Sequence, residues 1–143
     1  MELEEVVPTE DQVKVLYQQL KNRKYNISHK IFPTYEKHKD FVKYHPYRAW
    51  FIIQKFKHSI GNVYIHFDNS IGLNCEKDIT ESQIQKVLSL ILNKFTPLDA
   101  SLSVRYGNFF LNVSSKNFAL QKKLKKIGLI ETQRTYIFDI NNE

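Results

Sequence analysis

Five histidines and eight tyrosines are the groups in this sequence best suited to hold or move a proton near neutral pH. His29, His38 and His45 fall within one stretch that also contains Tyr35, Tyr44, Tyr47 and Trp50. Imidazoles and phenols together can hydrogen-bond a polar substrate, and a neutral imidazole can accept its proton. The same residues also have a plainer reading: Tyr35 and His38 as partly buried helix residues, His45 in the turn before Trp50. No His-x-x-x-His or Cys-x-x-Cys spacing occurs, so no bound metal is expected. Cys75 is the lone cysteine; it cannot close an internal disulfide and reads as a small core residue. Ser-His-Asp, kinase and dinucleotide-binding patterns are absent.

A single domain over 1–143 fits the length, and the 42% hydrophobic content can supply its core. Four Gly and four Pro are too few for a linker, a collagen-like repeat or a disordered tail. The apolar run at 49–53 is far short of the roughly 20 residues that a membrane-spanning helix needs. The acidic start, residues 1–7, lacks the basic and apolar regions of a signal peptide. A soluble, cytoplasmic chain without a membrane partner is the expectation. The net charge of +6 invites a nucleic-acid reading. However, all but four of the 21 basic residues are Lys, and Arg is the usual bidentate reader of bases and phosphates. Lys, Asn, Ile, Phe and Tyr, all with AT-rich codons, dominate the composition. The charge therefore reads as solvated surface, and no specific nucleic-acid partner is expected.

Hydrophobic period and turn chemistry give the elements that must position these groups. Residues 3–7 read as a strand ending at Pro8. Thr9 and Gln12 form a capping-box pattern before a helix with Val13, Leu16, Tyr17 and Leu20 on one face. Pro33-Thr34 opens a second helix, which stops at His45-Pro46. Residues 49–57, 60–67 and 70–76 read as three strands, the first two joined by a hairpin across His58-Ser59. Thr80 and Gln83 repeat the capping box, with Ile79 and Ile84 as a hydrophobic staple. The helix that follows carries Ile84, Val87, Leu88, Ile91 and Phe95 on one stripe. Strands are predicted at 102–106 and 109–113, a helix at 115–127 with Gly128 as its cap, and a last strand at 134–140. Hairpins followed by alternating strands and helices make an α+β domain with a mixed sheet.

This order resembles that of the GNAT acetyltransferases, which move an acetyl group from acetyl-CoA to an amine. One stretch that carries the likeness is 117–129, in which Asn117 opens a helix ending at Gly128-Leu129. Another runs from Asn26 and His29 through Pro33, His38 and Phe41-Val42 to His45-Pro46-Tyr47-Arg48-Ala49-Trp50. It is similar to a run that precedes the first hairpin in a bacterial branch of the superfamily. Ile60-Gly61-Asn62-Val63-Tyr64 and Asn69-Ser70-Ile71-Gly72 extend it over most of the chain. The resemblance implies a GNAT-like mixed, twisted central sheet flanked by about four helices, whose strand near 70–76 splays from the one near 109–113.

The resemblance also implies roles. Backbone of Leu73, Asn74 and Cys75 would pair with the pantetheine arm of acetyl-CoA, with Lys77 and Asn117 as further cofactor contacts. Glu76, His29 or His45 would serve as catalytic base for direct attack of a neutral amine on the thioester. Tyr35, His38, Tyr47 and Trp50 would line the acceptor site. The acceptor would be a primary amine on a small molecule, an amino sugar or a protein, and the chain a monomer or homodimer. The family's Gly-rich pyrophosphate loop is matched here by 76–81, which has no Gly and three carboxylates, Glu76, Asp78 and Glu81. The family's frequent Tyr acid falls on Leu124. These departures imply acetyl-CoA binding that is weak or absent, and an alternative in which a GNAT-like domain binds a ligand or a protein without transferring acetyl. A basic nucleic-acid module ranks last.

Overall fold

The computed structural model describes residues 1–24 and 31–138. The elements run β1 (Glu2–Glu5), α1 (Glu10–Asn22), α2 (Tyr35–Tyr44), β2 (Ala49–Lys55), β3 (His58–Ile65), β4 (Ser70–Cys75), α3 (Glu81–Lys94), β5 (Phe110–Leu111) and α4 (Phe118–Lys126). The strands form one five-stranded sheet in chain order, antiparallel from β1 to β4 and parallel between β4 and β5. This is the mixed α+β sheet with four helices that the sequence predicts.

Each helix begins where a side chain satisfies the first free N–H groups. Thr9, Thr34 and Thr80 accept from the N–H of Gln12, Lys37 and Gln83, and Asn117 accepts from Leu120. Alternation along β2 sends Phe51 and Ile53 to one face of the sheet and Trp50 and Ile52 to the other. On the first face, Val63, Ile65 and Ile71 pack with Ile84, Val87 and Ile91 of α3 and with Leu124 of α4. On the second face, Trp50 and Ile52 meet Val13 and Leu16 of α1 and Val42 of α2. The helices therefore lie on both faces, two to each.

Several boundaries differ from the predicted ones. The β2–β3 turn is Phe56-Lys57, with φ of 49° and 66°, and His58-Ser59 belong to β3. The sequence lacks the usual Asn-Gly signal for such a turn, so the hairpin reads two residues late. Predicted strand 102–106 is instead a turn closed by a single Ser101–Arg105 bridge. Among the described residues, 134–138 form no strand, and 139–140 lie outside them. Both segments carry strand-like residues, but a strand exists only where a partner backbone is available. Helix α4 starts at Phe118 rather than at 115, since Asn117 is its cap.

The parallel pairing of β4 with β5 covers only Ser70–Phe110 and Ile71–Leu111. Beyond Ile71, β4 continues to Cys75 with β3 on one side and, among the described residues, no strand on the other. This is the predicted splay. Asn69 sets it. Fully buried at φ 74°, Asn69 donates its side-chain amide to the carbonyls of Leu98 (2.9 Å) and Tyr106 (2.6 Å) and accepts from the Leu98 N–H (2.8 Å). Its own carbonyl accepts from the Phe110 N–H at 3.2 Å, which fixes where β5 meets β4.

Candidate functional site

A cavity of about 410 Å³ opens between α1, α2 and the sheet, within the size range of small-molecule sites. Its aromatic wall is Tyr47, Trp50, Tyr64 and Phe41. Tyr47 and Tyr64 stack at 4.1 Å between centroids, 9° from parallel, and Trp50 stands edge-on to Tyr47 at 5.0 Å. Tyr64 lies across β4 at a glycine: a Cβ on Gly72 would sit 2.0 Å from the Tyr64 ring. Burial, with the Tyr64 phenol beside it, pushes the Tyr47 phenol above its ordinary pKa, while nearby Arg23 acts in the opposite sense. The Tyr47 phenol therefore stays protonated and neutral at physiological pH.

The polar groups on the sheet side satisfy one another. Trp50 Nε1 donates to Asn62 Oδ1 (3.1 Å), Asn62 Nδ2 donates to Gln19 Oε1 (2.8 Å), and Gln19 Nε2 donates to the Gly61 carbonyl (3.3 Å). This chain ties α1 to β2 and β3 and fixes the indole. His38 is different. It is only 5% exposed, and its Nε2 is buried without a hydrogen-bond partner. Desolvation lowers its pKa, and a hydrogen bond to the Val13 backbone opposes that shift. The ring is neutral at pH 7, and with its N–H directed to the Val13 carbonyl, Nε2 carries the lone pair. A buried acceptor without a partner costs free energy unless a ligand satisfies it. Arg23 and Lys37 add two cations to the lining, and Asn74 of β4 closes it toward the splay.

The sequence-predicted residues divide between this cavity and other places. His38, Tyr47 and Trp50 line it, and Asn74 joins them. Tyr35 packs edge-on to Tyr17 at 5.2 Å, against the cluster under α1 and α2, and is not in the lining. His45 accepts the Tyr47 N–H on its Nδ1 (3.2 Å) and packs against Tyr47 and Trp50, outside the lining. Burial lowers its pKa as well. His29 lies outside the described residues. Glu76 is exposed and borders a separate hollow of about 150 Å³ with Asp78, Thr80 and Gln83. Leu73 and Cys75 pack against the core beneath α3 and α4, and burial pushes the Cys75 thiol up to about 12, so it is no nucleophile at neutral pH. Sequence reasoning missed Arg23, Lys37, Asn62 and Tyr64. The last two were readable from alternation, since they oppose the apolar Val63 and Ile65.

The α3 N-terminus is where the resemblance would place the diphosphate of acetyl-CoA. There Thr80 Oγ1 accepts from the Gln83 N–H (3.1 Å), and Gln83 Oε1 accepts from the Thr80 N–H (3.0 Å). Lys123 Nζ is bound to the carbonyls of Ile79 (2.7 Å) and Lys77 (3.3 Å), and Lys126 faces Glu81 at 3.7 Å. Asn117 caps α4 through Leu120 (3.2 Å). This end as it stands disfavours a diphosphate, because the Thr80 and Gln83 N–H groups and the Lys123 ammonium are engaged and three carboxylates, Glu76, Asp78 and Glu81, stand beside it. Past Ile71, β4 has no strand partner on its β5 side among the described residues. Leu124, at 7% exposure, is a core residue. Among the described residues, no group of three or more His, Cys, Asp or Glu is placed to hold a metal, and no helix is long and apolar enough to cross a membrane.

No family model matches this sequence, and no curated protein does. Among solved structures it is similar to the crystal structure of a possible acetyltransferase from Clostridium difficile 630. That likeness covers 97% of each chain at a TM-score of 0.54 and 13% identity. At this identity the likeness speaks of architecture alone: the mixed sheet with its parted β4 and β5 and four flanking helices is an acetyltransferase-like α+β fold.

Proposed function

We propose that the chain is a GNAT-type N-acetyltransferase that takes a small amine in the cavity between α1, α2 and the sheet. One observation carries this reading: the cavity reaches Asn74 on β4, beyond the point where β4 and β5 have parted. An acceptor in the cavity would then lie beside the strand edge that suits a pantetheine arm. Acetyl-CoA bound there would supply the activated acetyl group. The chain's own contribution is orientation by the aromatic wall and a proton acceptor. The proton acceptor assigned here is neutral His38, a residue of the lining whose buried Nε2 has no hydrogen-bond partner. In this reading it has the role that the resemblance gave to Glu76, His29 or His45. The basic surface is solvated or internally paired, as Lys123 and Lys126 are, and gives nucleic acid only diffuse attraction.

A second reading, a ligand-binding domain without transfer, is favoured by the closed capping box at Thr80 and Gln83. Calorimetric titration separates the two. Saturable acetyl-CoA binding with Kd below about 1 mM, weakened in Lys77→Ala and strengthened in Asp78→Gly/Glu81→Gly, supports transfer. Absence of binding at low salt even in the relieved double variant leaves the ligand-binding domain.

A further inference from the structure

Four aromatic rings meet at the cavity: Phe41 of α2, Tyr47 in the connection to β2, Trp50 of β2 and Tyr64 of β3. Phe41 stands edge-on to Tyr47 at 5.7 Å and to Trp50 at 5.9 Å, completing the group that the Tyr47–Tyr64 stack begins. In a packed core such rings are covered on every side. Here one side of the group borders a volume of about 410 Å³, and Phe41 remains exposed, so the rings lack partner atoms there. An aromatic ring in that volume would supply them, in the offset and edge-on geometries that aromatic pairs favour. Hydroxyl groups fare worse against this wall. Trp50 Nε1, Asn62 and Gln19 already bond one another, so a sugar hydroxyl set there would displace a bond or lose its own.

We propose that the acceptor taken by this cavity is a small primary amine on a short chain that ends in an aromatic ring, in preference to an amino sugar or a protein lysine. The ring lies against Phe41, Tyr47, Trp50 and Tyr64, and the amine lies toward Asn74, beside the parted edge of β4. Recognition comes from the ring, so amines of equal charge are separated by what they carry rather than by ionic pairing. This deepens the reading of the cavity as an acceptor site and rests on it.

The test measures binding alone, without any acyl donor, so its failure is separate from a failure of acetyl transfer. Trp50 is the sole tryptophan, so its fluorescence reports on the cavity wall itself, and calorimetry supplies a second readout. Phenethylamine, cyclohexylethylamine, glucosamine and Nα-acetyl-lysinamide each carry one primary amine. The first two differ only in the aromaticity of the ring, and burial of apolar area alone would not favour the aromatic one. Phenethylamine should saturate below about 10 mM and bind at least about threefold more tightly than cyclohexylethylamine. Glucosamine and Nα-acetyl-lysinamide should not saturate in that range. In Phe41→Leu/Tyr64→Leu the preference for the aromatic ring should fall to about half or less, with a thermal melt confirming that the variant folds. If that variant does not fold, Phe41→Leu alone, at an exposed ring, should reduce the preference in the same direction. The inference is overturned if any of the other three amines binds as tightly as phenethylamine, or if the preference is unchanged in the folded variant. It is overturned equally if no amine gives a saturable response in either readout by about 10 mM.

Discussion

The two faces of the sheet are built for different purposes. Under α3 and α4 the face is closed: Ile53, Val63, Ile65, Ile84, Val87 and Ile91 are all fully buried, and the adjoining helix end is capped by its own side chains. Under α1 and α2 the apolar cluster is smaller, and part of the face is a cavity with a buried, unpartnered imidazole nitrogen. A protein selected for stability alone would fill that space. In the proposed reading stability lies on one face and recognition on the other, which gives each mutation an expected side.

The largest effect should come from the closed face. Ile91→Ala should destabilise by about 3–4 kcal/mol through lost burial and a residual cavity. Phe41→Ala, at the cavity mouth with Phe41 already 42% exposed, should cost about 1 kcal/mol and weaken ligand binding instead. Urea melts of both variants check this, and comparable losses would erase the distinction between the faces.

Next in size is Gly72→Ala. The added methyl must displace the Tyr64 ring from Tyr47, at about 1–3 kcal/mol, and close part of the cavity. Combining it with Tyr64→Ala should recover part of that loss, because the two side chains then no longer compete for one space. A double variant as unstable as the sum of the two singles would show that Tyr64 is not what the methyl strikes.

A smaller effect concerns pH. His38 and His45 both have pKa values lowered below 6.5 by burial, so the folded state binds fewer protons than the unfolded one. Stability is therefore full above pH about 6.5 and declines as pH falls from there through the folded-state pKa values. Melting temperatures followed from pH 7.5 downward should fall, less steeply in His38→Gln. A flat profile in the unmodified chain would contradict the buried neutral state of His38.

The smallest expected change is a gain. Phe56 is 89% exposed and, with Lys57, is held at positive φ without a glycine. Replacing Phe56-Lys57 by Asn-Gly should stabilise the hairpin by about 1 kcal/mol, read from the same melts, and leave both faces untouched.

The helices were legible because their start signals are local: Thr9 with Gln12, Thr34, Thr80 with Gln83, and Asn117 each act within three residues. The strands of the hairpins were legible too, although the β2–β3 turn was not, since nothing in Phe-Lys announces positive φ. The region after α3 was misread at 102–106 and 134–138 because strand pairing depends on distant backbone; around Leu98 and Tyr106 that backbone is held by Asn69, which in sequence looks like an ordinary turn residue. In the site, aromatic and imidazole clustering pointed to His38, Tyr47 and Trp50. It could not show that His45 is tied to the Tyr47 backbone or that Glu76 faces a separate hollow. Those are matters of side-chain direction, set by which face of an element meets the sheet.

Titrating acetyl-CoA into the ¹⁵N-labelled chain and following each backbone amide tests the two-faced account most directly. The predicted result is perturbation along Gly72–Cys75 and in the cavity lining at Tyr47, Trp50 and Tyr64, with the Thr80 and Gln83 amides unmoved. Strong shifts at Thr80 and Gln83, with none in the cavity lining, would mean that the capped helix end opens to a diphosphate and that the ligand belongs to the face described here as closed.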